Sequence, residues 1–402
     1  MAAVLLLVLV AVVAVVKYRE RDKGSPYVPP RTGQASILLT PDQAGSGLDL
    51  NTIRADDGMA FAPDGSLYLL RTDLFKVSPD RVVTRVWRAG GYTTGGLTVL
   101  ADGAVAVGVR GGLLRIDAHG KASVLAGSPA PAPGSGTAAG DGSGDSSGNG
   151  SSGSGSGSSS GSGSGDGSAG GSTATGATTG FTGVARPLGT RSDGALVVQD
   201  DSAVWTVANG AAAKVRDTPG GASSLDDGTD TRAVRPTADA DGDAYFVPGA
   251  DPAPGLAHRI TRVTPAGRQT QVAVPATIPG LPGGPDRLTV RSLAGDGADG
   301  VYVDAVADAA GTSTSSASTG APTPTGAATA TAGLDDYVLH LHGGKASVVA
   351  HSRTAAHVLD CTLQHAVSAL QLPCALPAGM AYRDGRLALD GMVHYTLEVT
   401  VT

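Results

Sequence analysis

Glutamate is almost missing from this 402-residue chain, occurring only at Glu20 and Glu398, so nearly every acidic side chain is an aspartate. Aspartate favours turns and caps over helix interiors. Charged residues make up 16% of the chain, against roughly 25% in typical soluble domains. The net charge of −7 is spread along the sequence and leaves no basic stripe that could attract phosphates. We therefore expect no nucleic-acid partner.

Cysteine is also scarce, with Cys361 and Cys374 the only two in the chain. A pair that closes a short loop is typical of proteins in oxidising compartments. Two buried thiols are the alternative. We predict that Cys361 and Cys374 form a disulfide.

Only one long apolar run is present, the fifteen residues from Ala2 to Val16, and basic residues follow it at Lys17, Arg19, Arg21 and Lys23. As a helix it would span about 22 Å, short of the roughly 30 Å hydrocarbon core. A signal peptide needs positive charge before the run and a small-residue cleavage site after it, and neither is clear. A buried globular helix is the third alternative. We predict a single-pass membrane anchor over residues 1–23.

The orientation of this anchor is indicated by conflicting signals. Basic residues directly after the run favour a cytoplasmic C-terminal side. The cysteine pair and the long Gly/Ser tracts instead favour the outside of the cell. We expect the bulk of the chain to lie outside the cytoplasm, at the cell membrane.

Three segments lack the periodicity of a folded element. Residues 24–34 form a Pro-rich linker, and residues 127–180 and 308–333 are low-complexity tracts of Gly, Ser, Thr, Ala and Pro. Such compositions bury too little apolar surface to offset the entropy of ordering. We predict disordered insertions at both tracts within a folded domain that spans residues 35–402.

With these tracts set aside, an internal repeat remains. Asp-Gly pairs that each precede a short β-prone run recur at Asp64, Asp102, Asp193, Asp241, Asp299 and Asp384. Asp-Gly supplies the positive φ angles of a tight hairpin. A second hairpin follows in most units, as at residues 113–127, 203–215, 258–274 and 337–350. Four antiparallel strands per unit is the pattern of a β-propeller blade, and such units must close a ring because none buries its faces alone.

The first and last units are the most regular, since Gly58–Leu69 (GMAFAPDGSLYL) recurs as Gly379–Leu389 (GMAYRDGRLAL). This pattern resembles the NHL repeat, strongly at residues 58–69 and 379–390 and weakly in the middle units. The resemblance implies an all-β, six-bladed, NHL-like propeller related in shape to the gluconolactonase and YWTD families. It implies almost nothing about activity.

The last unit supplies three strands and then stops, one short of a blade. Ala35–Leu39 is a β-prone run with no partner of its own. We predict that it completes the C-terminal blade as its outermost strand, because an unpaired seam would expose strand edges. Between the cysteines, Thr362–Leu372 is the one segment outside the anchor with some helical periodicity.

Several residue clusters could bear chemistry. Gly295–Gly300 matches G-x-G-x-x-G, but a strand follows it where a dinucleotide site needs a helix, so we interpret it as a turn. Asp239–Asp243 lacks the spacing of a calcium loop and is interpreted as a hairpin turn. Asp226-Asp227 and Asp335-Asp336 are interpreted as solvated loop charge.

Histidines are concentrated near the C-terminus, at His340, His342, His351, His357, His365 and His394. On a strand, His340 and His342 would share a face and could hold a metal if another blade supplied a third ligand. Exposed or hydrogen-bonded histidines are the alternative, and we assign no metal ligand, cofactor or catalytic residue.

Gluconolactonase-like propellers hold a divalent metal in the central channel through a Glu, an Asn and an Asp, as the resemblance implies. Here Glu398 is the only Glu of the folded domain, and Asn occurs only at Asn51, Asn149 and Asn209. We therefore predict a non-catalytic binding or sensing module for a protein, peptide or glycan. A metal-dependent hydrolase or lyase is the alternative.

Overall fold

Short strands joined by tight turns account for nearly all regular structure in the computed structural model. It describes residues 27, 29–44, 47–50, 58–130, 180–219, 234–248, 255–256, 259–307, 334–354, 361–391 and 393–402. These residues form 25 strands in six antiparallel sheets, the six blades of a β-propeller. The predicted anchor, most of tract 127–180 and all of tract 308–333 lie outside the described residues. Among those described, no helix is both long and apolar enough to cross a membrane.

In blades 1 to 5 the strands run in chain order from the centre of the blade outwards. After β1 (Gln34–Leu39) and helix α1 (Pro41–Ala44), blade 1 contains β2 (Gly58–Phe61), β3 (Leu67–Leu70), β4 (Asp73–Val77) and β5 (Val83–Arg88). Blade 2 contains β6 (Thr94–Val99), β7 (Val105–Val109), β8 (Gly112–Ile116) and β9 (Ala122–Gly127). Blade 3 contains β10 (Arg186–Thr190), β11 (Leu196–Gln199), β12 (Ala203–Ala208) and β13 (Ala211–Asp217).

The remaining blades follow the same plan until the last. Blade 4 contains β14 (Thr237–Ala238), β15 (Ala244–Phe246), β16 (Thr261–Val263) and β17 (Gln269–Gln271). Blade 5 contains β18 (Leu288–Gly295), β19 (Val301–Ala307), β20 (Leu334–His342) and β21 (Lys345–Thr354). Blade 6 contains β22 (Val367–Ser368), β23 (Gly379–Arg383), β24 (Arg386–Asp390) and β25 (Thr396–Thr400), together with β1.

Each of the six Asp-Gly turns joins the first two strands of one blade, as the repeat predicts. The last is a two-residue turn in which Asp384 and Gly385 have φ angles of 50° and 79°. In blades 1 to 3 the turn aspartate accepts the backbone N–H two residues on, as Asp64 does from Ser66 at 2.9 Å. The turn chemistry is therefore local, which is why the sequence reveals it.

The innermost strands contact each other around a complete ring. Close approach depends on glycine at some of these contacts: a Cβ added at Gly189 or Gly295 would lie 2.6 or 2.7 Å from the carbonyl oxygen of Ala238. These two glycines let blades 3 and 5 press against the innermost strand of blade 4.

The apolar core is divided among the blade interfaces. The described residues form six buried hydrophobic clusters, and each one combines side chains from two neighbouring blades. Leu74 of blade 1, for example, shares a cluster with Val107 of blade 2. Burying each blade face against the next is what a repeat without helices requires.

Strand β1 closes the ring. It pairs antiparallel with β25, placing Ser36 opposite Glu398 and Ile37 opposite Leu397. The prediction that this segment joins the last blade is confirmed, but β1 is not outermost, since the two-residue strand β22 pairs along its other edge.

The segment between the cysteines is not an α-helix, so the helical interpretation of Thr362–Leu372 is wrong. It contains β22 and a 3-10 turn at Ala369–Gln371. The Cα atoms of Cys361 and Cys374 are 5.5 Å apart. An eleven-residue α-helix would be about 16 Å long and could not return the chain to that distance so directly.

Candidate functional site

In blades 1 to 5 the turn between the first and second strands and the turn between the third and fourth strands lie on one face of the ring, here called the hairpin-turn face. Successive strands run in opposite directions, so the first-to-second and third-to-fourth connections meet at the same end. In blade 5 this brings the turn at Asp296–Gly300 beside the end of β20, which carries His340 and His342.

Two aspartates and two histidines meet there, and we call Asp296, Asp299, His340 and His342 the blade 5 cluster. Nε2 of His340 lies 2.9 Å from Oδ2 of Asp296, and Nδ1 of His342 lies 3.1 Å from the same oxygen. Nδ1 of His342 also lies 3.1 Å from Oδ1 of Asp299. The histidines share one face of β20, as their spacing predicts, but the third group comes from the same blade and not from another.

Backbone amides of the turn fix the Asp296 carboxylate through the oxygen that does not face the histidines. Its Oδ1 accepts the backbone N–H groups of Ala298 at 2.8 Å and Gly300 at 3.0 Å. A Cβ at position 300 would collide with its Oδ2, so glycine is needed there. Burial opposes ionisation of this carboxyl, but the hydrogen bonds from His340 and the two amides prevail and lower its pKa to about 2. The group is therefore an anion at neutral pH.

Aromatic rings hold His340 in place. The buried ring of Tyr302 stacks on His340 with a centroid distance of 4.3 Å and an interplanar angle of 13°. Tyr382 of blade 6 packs on Tyr302 at 4.9 Å. These contacts orient the imidazole, leaving its Nε2 directed at Asp296.

A cleft of about 220 Å³ lies beside the cluster, between blades 4 and 5. Asp299 and His342 belong both to its wall and to the cluster. On the blade 4 side, Arg262 forms an ion pair with the buried carboxylate of Asp243. The complete lining is Tyr245, Arg262, Thr270, Gln271, Val272, Ala273, Asp299, Gly300, Leu341, His342, Gly343 and Gly344.

The G-x-G-x-x-G segment is a hairpin turn between β18 and β19, as interpreted from the strand that follows it. The sequence did not indicate that this turn also supplies Asp296 to the histidines. Of the other C-terminal histidines, His351 stacks on Tyr337 at 4.6 Å and His365 is exposed. His357 lies outside the described residues.

Asp335 and Asp336 are not loop charges, and that interpretation is wrong. Both lie in β20, where Asp336 is buried within 3.4 Å of Arg291 and Asp335 pairs with Arg353. Arg291 also pairs with the fully buried Asp304 at 2.7 Å. Asp226-Asp227 lies outside the described residues.

Asp239–Asp243 forms the turn between β14 and β15, as interpreted. Asp239 is buried, and its carboxylate accepts the backbone N–H groups of Asp241 and Asp243 and the hydroxyl of Tyr245. Burial raises its pKa to about 6. Its oxygens already have partners within the turn, which agrees with a structural role.

Glu398, the only glutamate of the propeller, is fully buried in β25. It accepts two hydrogen bonds of 2.8 Å from Arg386 and one of 2.8 Å from the hydroxyl of Tyr27. Asn209 lies in the turn between β12 and β13 with a φ of 51°. Neither residue belongs to an innermost strand, where a channel metal site would draw its ligands.

The two cysteines are bonded to each other, and their Cα separation of 5.5 Å lies in the ordinary range for a disulfide. Cys374 is buried beside Leu372 and Leu376 in the core between blades 5 and 6. The bridge adjoins the interface between blades 5 and 6, whereas the cleft lies between blades 4 and 5. Its formation in the protein's native compartment stays a prediction.

No protein-family model and no curated protein matches the sequence. The resemblance to NHL repeats is therefore a similarity of sequence pattern. Solved structures of similar shape include a gluconolactonase from Xanthomonas campestris (12% identity, 94% of this chain, 98% of that chain, TM-score 0.43). A second is the calcium-binding protein regucalcin from Agrobacterium tumefaciens (11% identity, 94% of this chain, 96% of that chain, TM-score 0.43). A third is virginiamycin B lyase from Staphylococcus aureus (12% identity, 88% of this chain, 98% of that chain, TM-score 0.40). Likeness at this level leaves the ligand and activity of this chain open.

Proposed function

We propose that the protein is a non-catalytic binding module that takes up its ligand in the cleft between blades 4 and 5. The observation that carries this proposal is the lining of the cleft. Thr270, Gln271 and His342 contribute polar groups to its wall, beside the apolar side chains of Val272 and Leu341. Ligand sites commonly combine apolar walls with a few convergent polar groups.

The size of the cleft limits what it can hold. Its volume of about 220 Å³ is below the roughly 300–1,000 Å³ of pockets that enclose drug-sized ligands. It therefore suits one residue of a longer ligand, with the rest of that ligand lying across the hairpin-turn face. A protein, peptide or glycan chain meets this description.

The charged residues on the cleft wall are the basis on which we rank a glycan against a peptide. Arg262 is neutralised by Asp243, so no strong charge of one sign is offered on the blade 4 side. Hydroxyl groups both donate and accept hydrogen bonds and match threonine, glutamine and histidine equally well. We rank the end residue of a glycan first and a polar peptide side chain second. The anchor over residues 1–23 would display the propeller outside the cytoplasm, where such ligands occur.

A metal-dependent hydrolase or lyase is the second candidate, and the blade 5 cluster is the observation that favours it. The cluster lies at the wall of the cleft, so a metal there could reach a bound ligand. It belongs to one blade and is not built from the innermost strands, unlike the channel site that the resemblance to gluconolactonases implies.

Binding of the purified full-length protein to arrays of glycans and of peptides tests the proposal. Thr270→Trp should fill the cleft and weaken binding of any array hit at least about tenfold. Thr84→Trp is the matched control, because Thr84 is likewise exposed on the outermost strand of its blade. Equal binding by both variants would exclude the cleft as the ligand site. Turnover of an array hit, with release of a cleaved product, would favour the enzyme.

A further inference from the structure

We propose that Asp296, His340 and His342 bind a divalent transition-metal ion, Zn²⁺ before others, with Asp299 as a fourth ligand. The ligand atoms of the first three residues all lie within 4.8 Å of one another. This assignment goes beyond the binding role proposed above and does not depend on it.

The chemistry of the donors selects the metal. Two imidazole nitrogens and one or two carboxylate oxygens are a set that zinc accepts readily. Calcium and magnesium prefer sites built from oxygen alone. A site in which half or more of the ligand atoms are nitrogen therefore favours zinc, cobalt or nickel over the alkaline-earth ions.

The separations between the Asp296 oxygen and the two histidine nitrogens are close to those between ligands of a zinc ion. With zinc bonds of about 2.0–2.1 Å, two ligands of a tetrahedral site stand about 3.3 Å apart. Oδ2 of Asp296 lies 2.9 Å from Nε2 of His340 and 3.1 Å from Nδ1 of His342. Both separations fall short of that spacing by only a few tenths of an ångström.

The polar atoms of the cluster are more closely convergent than one hydrogen bond for each N–H requires. Nδ1 of His342 faces carboxylate oxygens of both Asp296 and Asp299 at 3.1 Å, and a single N–H must be shared between them. Oδ2 of Asp296 in turn faces two imidazole nitrogens. A cation between these atoms would accept a lone pair from each of them at once.

The surroundings resemble the outer shell of a metal centre. Backbone amides of the turn hold Oδ1 of Asp296, and the ring of Tyr302 orients His340. Such outer contacts position ligands and raise metal affinity. They are present here without any rearrangement.

One side of the site is open. The side chains of His342 and Asp299 are 48% and 50% exposed, and both line the cleft. Asp299, the most exposed of the four ligands, is the one that water or an oxygen of a ligand in the cleft could replace on the ion. The same property distinguishes ligand-binding and catalytic metal sites from closed structural ones.

Titration of chelator-treated full-length protein with ZnCl₂, followed by calorimetry, tests the site. We expect about one zinc ion per chain, and a loss of affinity of roughly 10–100-fold or more for His342→Ala and Asp296→Asn. His351→Ala is the matched control: His351 also stacks on a tyrosine and faces an aspartate on a neighbouring strand, but it lies outside the cluster. Its zinc affinity should equal that of the parent.

Cobalt gives a second readout that folding defects do not imitate. CoCl₂ should produce the visible absorption of a low-symmetry site, and His342→Ala should alter that spectrum while its circular dichroism stays unchanged. Zinc should also raise the melting temperature of the parent but not of His342→Ala, because an ion that binds only the native state stabilises it. Absence of zinc binding, or identical binding by parent and His342→Ala, would overturn the assignment. Zinc binding without any array hit would support the metal site and would count only against the proposal of a glycan or peptide ligand.

Discussion

The guanidinium of Arg71 donates a hydrogen bond to the carboxylate of Asp390, a residue 319 positions further along the chain. Arg71 follows the second strand of blade 1 and Asp390 ends the second strand of blade 6, so the ion pair spans the junction where the ring closes. Both side chains are buried, and Thr396 donates a further hydrogen bond of 3.0 Å to Asp390. The first and last blades are thus joined by charge as well as by strand β1.

Arg71→Ala should destabilise the propeller by about 3–5 kcal/mol, because it leaves the Asp390 carboxylate buried without its counter-charge. Replacing both partners, as in Arg71→Met with Asp390→Leu, should restore most of that loss. Chemical denaturation of the three proteins measures the effect. Lys76→Ala, which breaks the exposed pair with Asp64, is the control and should cost less than about 1 kcal/mol. A double variant no more stable than Arg71→Ala would count against the ion-pair explanation.

Tyr27 should contribute to the closure of the ring, although it lies in the segment predicted as a linker. Its hydroxyl donates a hydrogen bond of 2.8 Å to the buried Glu398, and Arg81 lies over its ring at 5.1 Å. Tyr27→Phe should lower the free energy of unfolding by about 1–2 kcal/mol, since a charged acceptor loses one donor. Hydrogen exchange provides the local measurement. Amides of Ile37 and Leu38 should exchange slowly in the parent and faster in the variant, and equal rates would show that Tyr27 does not hold β1.

How far the sequence predicts this molecule depends on the range of each interaction. Asp-Gly turns act over two residues, so the six first hairpins were predictable from local chemistry. Asp296 was not recognised as a partner of His340, because 44 residues separate them and a low-complexity tract intervenes. Only the pairing of β19 with β20 brings them together.

The burial of charged residues could not be predicted from the sequence for a related reason. Asp336 stands beside a Gly- and Thr-rich tract and resembles loop charge in the sequence, but β20 begins at Leu334 and draws it into the sheet. Its partner Arg291 lies on the innermost strand of the same blade. Whether a charged side chain is solvated or buried depends on residues that are distant in the sequence, such as Arg291. A local pattern of turn residues does not predict those contacts.

Asp239 should make the protein more stable as the pH falls from about 8 to about 5. Its pKa of about 6 in the folded state exceeds the ordinary value of 3.8, so the folded state binds the proton more tightly than the unfolded chain. The burial cost of the anion is therefore fully present above about pH 7 and is relieved on protonation, by about 1.4 kcal/mol at pH 5 and by on the order of 3 kcal/mol only below pH 3.8. Asp239→Asn should flatten this part of the stability profile measured by denaturation. A variant that keeps the parent's slope would assign the pH dependence to other groups, of which Asp304 is the first to test.

Cys361 and Cys374 should be oxidised in protein exported by its native host. Intact-mass measurement after alkylation without reductant should show no modified thiol. Cys361→Ser with Cys374→Ser should cost about 3 kcal/mol in the chain-entropy model, because the bond closes a loop of 13 residues. Two alkylated thiols would contradict both the bridge and the extracytoplasmic location.

The tract that connects blades 2 and 3 should be replaceable, and the structure indicates where to cut. Ala130 donates its backbone N–H to the carbonyl of Arg110, while the carbonyl of Gly183 accepts the N–H of Gly111. Both ends of the tract are therefore held against the same two residues, and a linker of about six Gly and Ser residues can join them.

Replacing residues 131–179 in this way should leave the melting temperature unchanged or raise it by a few degrees. The closure entropy of a flexible loop grows only with the logarithm of its length, so the shorter linker stabilises the fold by about 2 kcal/mol at most. Extending the deletion through Ser128–Ala130 should lower the melting temperature, because the hydrogen bonds of Ser128 to Gly111 and of Ala130 to Arg110 are lost. Differential scanning calorimetry of both variants separates the two effects. A large drop on replacing residues 131–179 alone would mean that the tract packs against the ring.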